Sequence, residues 1–172
     1  MTQGTTIVPP SSRFAIRQAD QADWPAVAAL LQAHQLPLDG ARDHQHAFVV
    51  AHVCGEVVGV AGVEVHGDVA LLRSVAVAPG MQGTGIGQAL VQTLLDQAKH
   101  SPVRQVFLLT TTATAYFQRF GFAPVDRGVV PEALQASAEF QGACPASAAL
   151  LGLTMVDALA RAGTLAQAGF ND

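Results

Sequence analysis

Apolar residues in this chain recur first at strand spacing and then at helix spacing, and the switches divide it into alternating elements. Phe14-Ala-Ile-Arg17 reads as a short first strand. From Trp24 the apolar positions Val27, Leu30 and Leu31 fall on one face of a helix. Asp20 or Asp23 caps it, Pro25 sits in its first turn, and Leu36-Pro37 marks its end. Ala47 to Cys54 and Glu56 to His66 are valine-rich runs separated by Gly55, which predicts an antiparallel pair. The chain turns again at Gly67-Asp68, and a fourth strand runs from Val69 to Ala78, ending at Pro79-Gly80.

Gly85 to His100 places Ile86, Leu90, Val91, Leu94, Leu95 and Ala98 on one side, the pattern of a helix lying on a sheet. Val103 to Thr110 follows as a fifth strand. The strand-helix-strand order predicts that the fourth and fifth strands are parallel neighbours joined by a right-handed crossover. Ala113 to Phe120 reads as a short helix stopped by Gly121, and Phe122 to Asp126 as a sixth strand. Beyond Pro131 a helix is predicted to about Phe140, then a break at Cys144-Pro145 and an apolar strand from Ser147 to Met155. The fold class is therefore α/β. Residues 1–12, rich in Thr, Ser and Pro, form a flexible lead-in, 13–155 one domain, and 156–172 an alanine-rich tail of helical composition with no assigned function.

Composition narrows the partners. The 172 residues suit a single domain that removes about 70% of its unfolded surface from water. Half are hydrophobic and 13% are charged, which excludes disorder. A net charge of −4 with nine Lys and Arg leaves no basic stripe, so neither nucleic acid nor an acidic membrane is the expected partner. A small molecule fits better. No apolar run spans a bilayer, and Met1 to Ser12 lacks the basic end and apolar stretch of a secretory signal, so the expected location is cytoplasmic. Cys54 and Cys144 lack Cys-x-x-Cys spacing and read as ordinary buried thiols. The His44-x-His46 pair has no carboxylate or cysteine cluster beside it in sequence, so no metal is expected.

The chemistry concentrates after the fourth strand, in Gly80-Met81-Gln82-Gly83-Thr84-Gly85-Ile86-Gly87. Its glycines allow backbone N–H groups to turn inward where a helix begins. Those free donors and the positive end of the helix dipole form an anion cradle that needs no lysine. No Gly-Lys-Ser/Thr follows, which excludes Walker A, and Gln88 occupies the third glycine position of the dinucleotide fingerprint. A bare strand-to-helix turn is the simpler alternative, yet three glycines at alternate positions exceed what turn geometry requires.

Gln82, Gly85 and Gly87 match the Gln/Arg-x-x-Gly-x-Gly/Ala motif, and the chain here resembles the GNAT superfamily of acetyltransferases. The later Tyr116-Phe-Gln-Arg-Phe-Gly-Phe122 is similar to that family's aromatic helix followed by Gly-Phe. The resemblance implies a three-layer α/β domain whose central mixed sheet splays its parallel fourth and fifth strands around acetyl-CoA. It implies that Gln82, Gly83, Thr84, Gly85, Ile86 and Gly87 hold the pyrophosphate, while Val75, Ala76 and Val77 hydrogen-bond the pantetheine arm. It also implies a homodimer. A narrower resemblance lies in LLRSVAVAP, FLLTTTA, PVDR, VPEAL and EFQGACPASA, which look like the arsenic-resistance N-acetyltransferases. That implies a small amino-acid-like amine as acceptor, including an arsenic- or phosphorus-containing glutamate analogue. Acetylation of glutamate or another amino acid, and a non-catalytic acyl-CoA-binding module, are the alternatives. In the same segments Glu139, Cys144 and Ser147 either line an acceptor pocket or are packed.

Hairpin register selects the candidate catalytic pair. A two-residue turn at Gly67-Asp68 sets His66 opposite Val69, Glu64 opposite Leu71 and Gly62 opposite Arg73, which makes Glu64 and Arg73 diagonal neighbours about 7–8 Å apart. Either they form a salt bridge at the sheet surface, or they face the acceptor, Glu64 as general base and Arg73 as carboxylate anchor. Strict alternation turns Ser74 to the opposite face. The place of the family's thiolate-protonating tyrosine holds Phe117, and Tyr116, one residue earlier, points about 100° away on a helix. Thr110 either caps the aromatic helix or touches substrate, and Ser74 and Tyr116 are the further substrate-binding candidates. The mechanism implied calls for no metal.

Overall fold

The computed structural model describes residues 14–155, so the expected lead-in and alanine-rich tail lie outside the described residues. Seven strands form one sheet: β1 (Ala15–Gln18), β2 (Phe48–Val53), β3 (Glu56–His66), β4 (Val69–Val77), β5 (Gln105–Thr110), β6 (Ala123–Pro124) and β7 (Ala149–Thr154). Their order is β1-β2-β3-β4-β5-β7-β6. Every neighbouring pair is antiparallel except β4 and β5. Those two pair only from Val69 to Leu71 against Gln105 to Phe107, and beyond Leu71 they diverge.

Two helices, α1 (Trp24–Ala33) and α2 (Ile86–Lys99), cover opposite faces. The alternation of β2 decides which side chains each receives. Phe48 and Val50 join Val27 and Leu31 of α1 in one buried cluster, whereas Val49 and Ala51 join Leu90, Val91 and Leu94 of α2 in another. Each fully buried leucine contributes on the order of 1.5–3 kcal/mol, which fixes the three layers and the strand register together. The chain enters α1 through a short 3-10 turn. There Asp20 accepts from the Ala22 N–H, Asp23 accepts from the Asp20 N–H, and Arg17 grips Asp23 at 2.7 and 2.8 Å.

The structure departs from the expected elements in three places, and it adds one pairing. Cys54 is exposed, because Cys54 and Gly55, at φ of 51° and 81°, form the turn between β2 and β3. The helix expected after Pro131 is broken: α4 covers Glu132–Gln135, and a wider turn at Glu139–Ala143 follows, containing Gly142 at φ 112°. The sixth strand shrinks to two residues at the sheet edge, where Pro124 has no N–H to donate. Finally, β7 inserts between β5 and β6, a pairing that element order alone does not reveal. The remaining short helix, α3, spans Thr114–Gln118, with Gly121 just beyond it at φ 99°.

Candidate active site

The hairpin between β3 and β4 keeps the register read from its turn, with Gly62 opposite Arg73 and Glu64 opposite Leu71. One irregularity changes what β4 presents. Pairing passes from Val60↔Ala76 to Gly62↔Arg73, so two residues of β4, Ser74 and Val75, stand opposite Ala61. Ser74 absorbs this bulge at φ 59°. The bulge cancels strict alternation, and Ser74 lies beside Arg73 instead of on the far face. Its Oγ accepts from Arg73 Nε at 3.2 Å.

Arg73 and Glu64 are brought together, and both are buried, with side-chain exposures of 0% and 1%. Arg73 Nη1 donates to Glu64 Oε1, while Nη2 donates to the carbonyls of Asp39, at 2.8 Å, and Pro37. With Nε on Ser74, four of the five guanidinium N–H groups have partners inside the protein. Arg73 thus ties the segment after α1 to the bulge of β4. On the other oxygen of Glu64, His66 Nε2 lies at 3.2 Å and His44 Nε2 at 3.8 Å.

This last cluster corrects the reading of the histidines. His46 is exposed, and the partner of His44 is His66, with a carboxylate between them. The three donor groups lie within 4.8 Å of one another, a spacing compatible with metal ligation. Arg73 supplies a positive charge to that carboxylate, His66 is a hydrogen-bonding partner to it, and His44 stands further off. Burial pushes the Glu64 carboxyl up, but Arg73, Ser137 and His66 outweigh it and hold the group below its ordinary range.

Two cavities meet at β4. The larger, about 740 Å³, runs from Val75, Ala76 and Val77 past Gln82, Gly83, Gly85, Ile86 and Gly87. Gly85 is the N-cap of α2 at φ 87°, and no side chain caps the helix, which leaves its first N–H groups directed into the cleft. Gln82 Nε2 donates to the Val77 carbonyl and ties the loop to the strand end. Thr84 does not line this cleft; its hydroxyl donates to the Met81 carbonyl. Tyr116 lines this larger cavity, its hydroxyl over Gly87, and not the smaller one, where a substrate-binding role would place it. Arg119 stacks over the Tyr116 ring at 5.5 Å and adds a cation to the cleft that the sequence reading had missed.

A Cβ at Gly87 would lie 2.8 Å from the Tyr116 hydroxyl but 3.8 Å from the ring carbon that bears it. Gly87→Ala is therefore expected to weaken CoA binding about tenfold, roughly 1.4 kcal/mol. The same change in a Tyr116→Phe background should cost much less. Calorimetric titration with CoA checks both, and equal losses in the two backgrounds would show that the hydroxyl is not the obstacle.

The smaller cavity, about 340 Å³, shares His34 and Val75 with the cleft. Ser74, Thr110, Phe117, Glu139 and Cys144 lie on its wall; Glu64 and Ser147 do not. His34 Nε2 is 2.8 Å from the Val77 carbonyl, at the mouth where the two spaces join. It follows the last residue of α1, and nothing in its sequence surroundings marks it. Thr110 Oγ1 accepts from the Ala113 N–H at 3.0 Å and holds the approach to α3, leaving its own hydroxyl proton free to donate. Glu139 is 5% exposed, and Arg73 Nε lies 3.4 Å from its Oε1. Burial raises its carboxyl to about 7 in spite of Arg73. The neighbouring Cys144 thiol is pushed up to about 11 by burial and by Glu139, so it stays protonated near neutrality.

The model of the acetyltransferase (GNAT) family matches residues 13–122. An amino-acid acetyltransferase from Mycobacterium tuberculosis is 32% identical over 128 residues, covering 69% of this chain and 73% of the relative. A shorter match, 38% over 61 residues, joins 36% of this chain to 14% of an Escherichia coli amino-acid acetyltransferase. Among solved structures, a Mycobacterium tuberculosis protein in complex with CoA superimposes with a TM-score of 0.69 at 27% identity, over 81% of this chain and 98% of that one. N-acetylglutamate synthase from Neisseria gonorrhoeae, with coenzyme A and N-acetyl-glutamate, shares the fold at a TM-score of 0.71 and 24% identity, over 83% of this chain and 35% of that one. The chain belongs to the acetyltransferase (GNAT) family, and it is an acetyl-CoA-dependent N-acetyltransferase.

Proposed function

We propose that the acceptor is the α-amino group of a small amino acid, glutamate or a close analogue. The observation that carries this reading is the junction of the two cavities at Val75 and His34: a cleft ending in a glycine turn, and a smaller space of about 340 Å³ beyond it. That volume lies at the low end for small-molecule sites, too small for a folded partner. The relatives named amino-acid acetyltransferases support the same class of acceptor. They favour an ordinary amino acid over the arsenic- or phosphorus-containing analogue, for which the sequence segments remain the sole support.

Acetyl-CoA supplies an activated thioester, and the protein's part is to hold it against an uncharged amine. The β4 bulge removes backbone groups from the sheet ladder beside the junction, where they can orient the thioester carbonyl. Arg73 has one uncommitted N–H, so it offers a single contact and not the two-point clasp suggested by its sequence position. Its main task is to hold the cavity wall. Thr110, whose proton is free, is the better-placed donor to an acceptor carboxylate. A homodimer, implied by family resemblance, belongs to this proposal and is checked by sedimentation.

The test is thiol release from acetyl-CoA against a panel of free amino acids, phosphinic and arsenic-containing glutamate analogues, and peptides with free amino termini. Release with glutamate or another free amino acid is the expected result. Release with peptides alone would overturn the proposal, and release confined to the analogues would return the assignment to resistance.

A further inference from the structure

We infer that Glu139 takes the proton from the acceptor ammonium, and that Glu64 acts through Arg73 as a positioning residue. The inference rests on the acetyl-transfer reading above and assigns its base.

The argument begins with access. Glu64 is sealed behind Arg73, touches neither cavity and has both oxygens engaged, by Arg73 on one side and His66 on the other. A base has to come within hydrogen-bond reach of the proton it removes, directly or through one water. Glu139 meets that condition because it lines the cavity that opens to the junction.

Its position is built locally. Ser137 Oγ accepts from the Glu139 N–H at 3.3 Å, the Cys144 N–H donates to the Glu139 carbonyl at 3.3 Å, and Gly142 at φ 112° lets the turn close. The turn thereby brings Glu139 and Cys144 side by side, with Arg73 facing them across the cavity floor.

Charge then separates the two carboxylates. The groups acting on Glu139 are Arg73, which favours its anion, and Glu64, which opposes it; Cys144 is a weak S–H donor to it. Arg127 acts on Cys144 from further off. Glu64 is held below its ordinary range, whereas Glu139 is held at about 7. A group balanced near neutrality both accepts a proton and returns it to solvent, and a strongly acidic one does not.

The step balances without another reagent. Ionised Glu139 takes one proton from the ammonium, and the free amine forms the C–N bond as the C–S bond breaks with its electron pair going to sulfur. The second nitrogen proton leaves to the thiolate through solvent. Glu139 then releases its proton, so amide, free thiol and one proton are the products.

Rates measured across pH with Glu139→Gln and Glu64→Gln test the assignment. The expected result for Glu139→Gln is a kcat lower by about 10²–10⁴, with loss of the wild-type inflection in kcat/KM near pH 7. CoA affinity by calorimetry and thermal midpoint certify that this variant is folded. Glu64→Gln should keep the inflection and lose stability. His34→Gln, which removes the imidazole at the junction, should also keep it. Retention of the inflection, or of turnover within threefold, in Glu139→Gln overturns the inference; so does its loss in Glu64→Gln. If free amino acids prove not to be acceptors, the same variants are read on whichever amine the wild type acetylates. Failure of the acceptor assignment is thus distinguishable from failure of the base.

Discussion

Arg73→Met is expected to destabilise the folded protein by about 3–5 kcal/mol, because it strands a carboxylate in the interior. Glu64 is 1% exposed and has its strongest partner in Arg73, so loss of the guanidinium leaves the burial penalty without its main compensation. The carbonyls of Asp39 and Pro37 lose their donor at the same time. Denaturant unfolding would measure the effect, and pH gives it a signature. In the wild type the Glu64 carboxyl is held below its ordinary value of 4.5, so its contribution is present above that pH and is lost as pH falls through the lower folded-state value. In the variant, burial prevails and raises the same carboxyl. Its contribution to stability is then present below the unfolded value and is lost as pH rises. The gap between wild type and variant should accordingly narrow in acid. Adding Glu64→Gln to the variant should recover part of the loss, and a cycle without coupling between the two sites would contradict the pairing.

Gly62→Ala is expected to cost about 1–3 kcal/mol through overpacking. A Cβ at Gly62 would fall 2.1 Å from the Phe48 ring, and Phe48 is fully buried opposite it on β2. The ring lies over the glycine and fills the space that a side chain would take, the arrangement by which an aromatic compensates for a glycine in a sheet. Because Gly62 also pairs with Arg73, a shift there would disturb the guanidinium and the bulge beyond it. Phe48→Leu in the Gly62→Ala background should recover stability relative to Gly62→Ala alone. A midpoint for Gly62→Ala within about 0.5 kcal/mol of wild type would show that the ring moves freely.

Local rules account for most of what the chain discloses in advance. The periodicity of Ile86, Leu90, Val91, Leu94 and Leu95 places α2 and its buried face, and all five are buried. Gly67-Asp68 fixes the register of β3 on β4, because a two-residue turn leaves no choice of pairing. Gln82, Gly85 and Gly87 locate the anion-binding turn, since free N–H groups at a helix start are a property of a few consecutive residues.

Other features arise only when distant segments meet. The sequence placed Glu64 and Arg73 side by side but could not show that Pro37 and Asp39 would cap the guanidinium and leave it a single uncommitted N–H. Alternation turned Ser74 away, and a single inserted residue in the pairing turned it back. Tyr116 and Phe117 are adjacent in sequence, yet their wall positions in different cavities follow from how α3 packs on the splayed strands. His44 acquired its carboxylate from β3, twenty residues along, and Glu139 acquired its environment from β4 and a turn closed by Gly142. The sequence by itself determined most of the elements up to α3, the hairpin register and the glycine turn, because each depends on dihedral preferences and spacing within a short stretch. The tertiary structure decided which carboxylate is accessible and which is sealed, because desolvation and pairing depend on every segment packed around a charge.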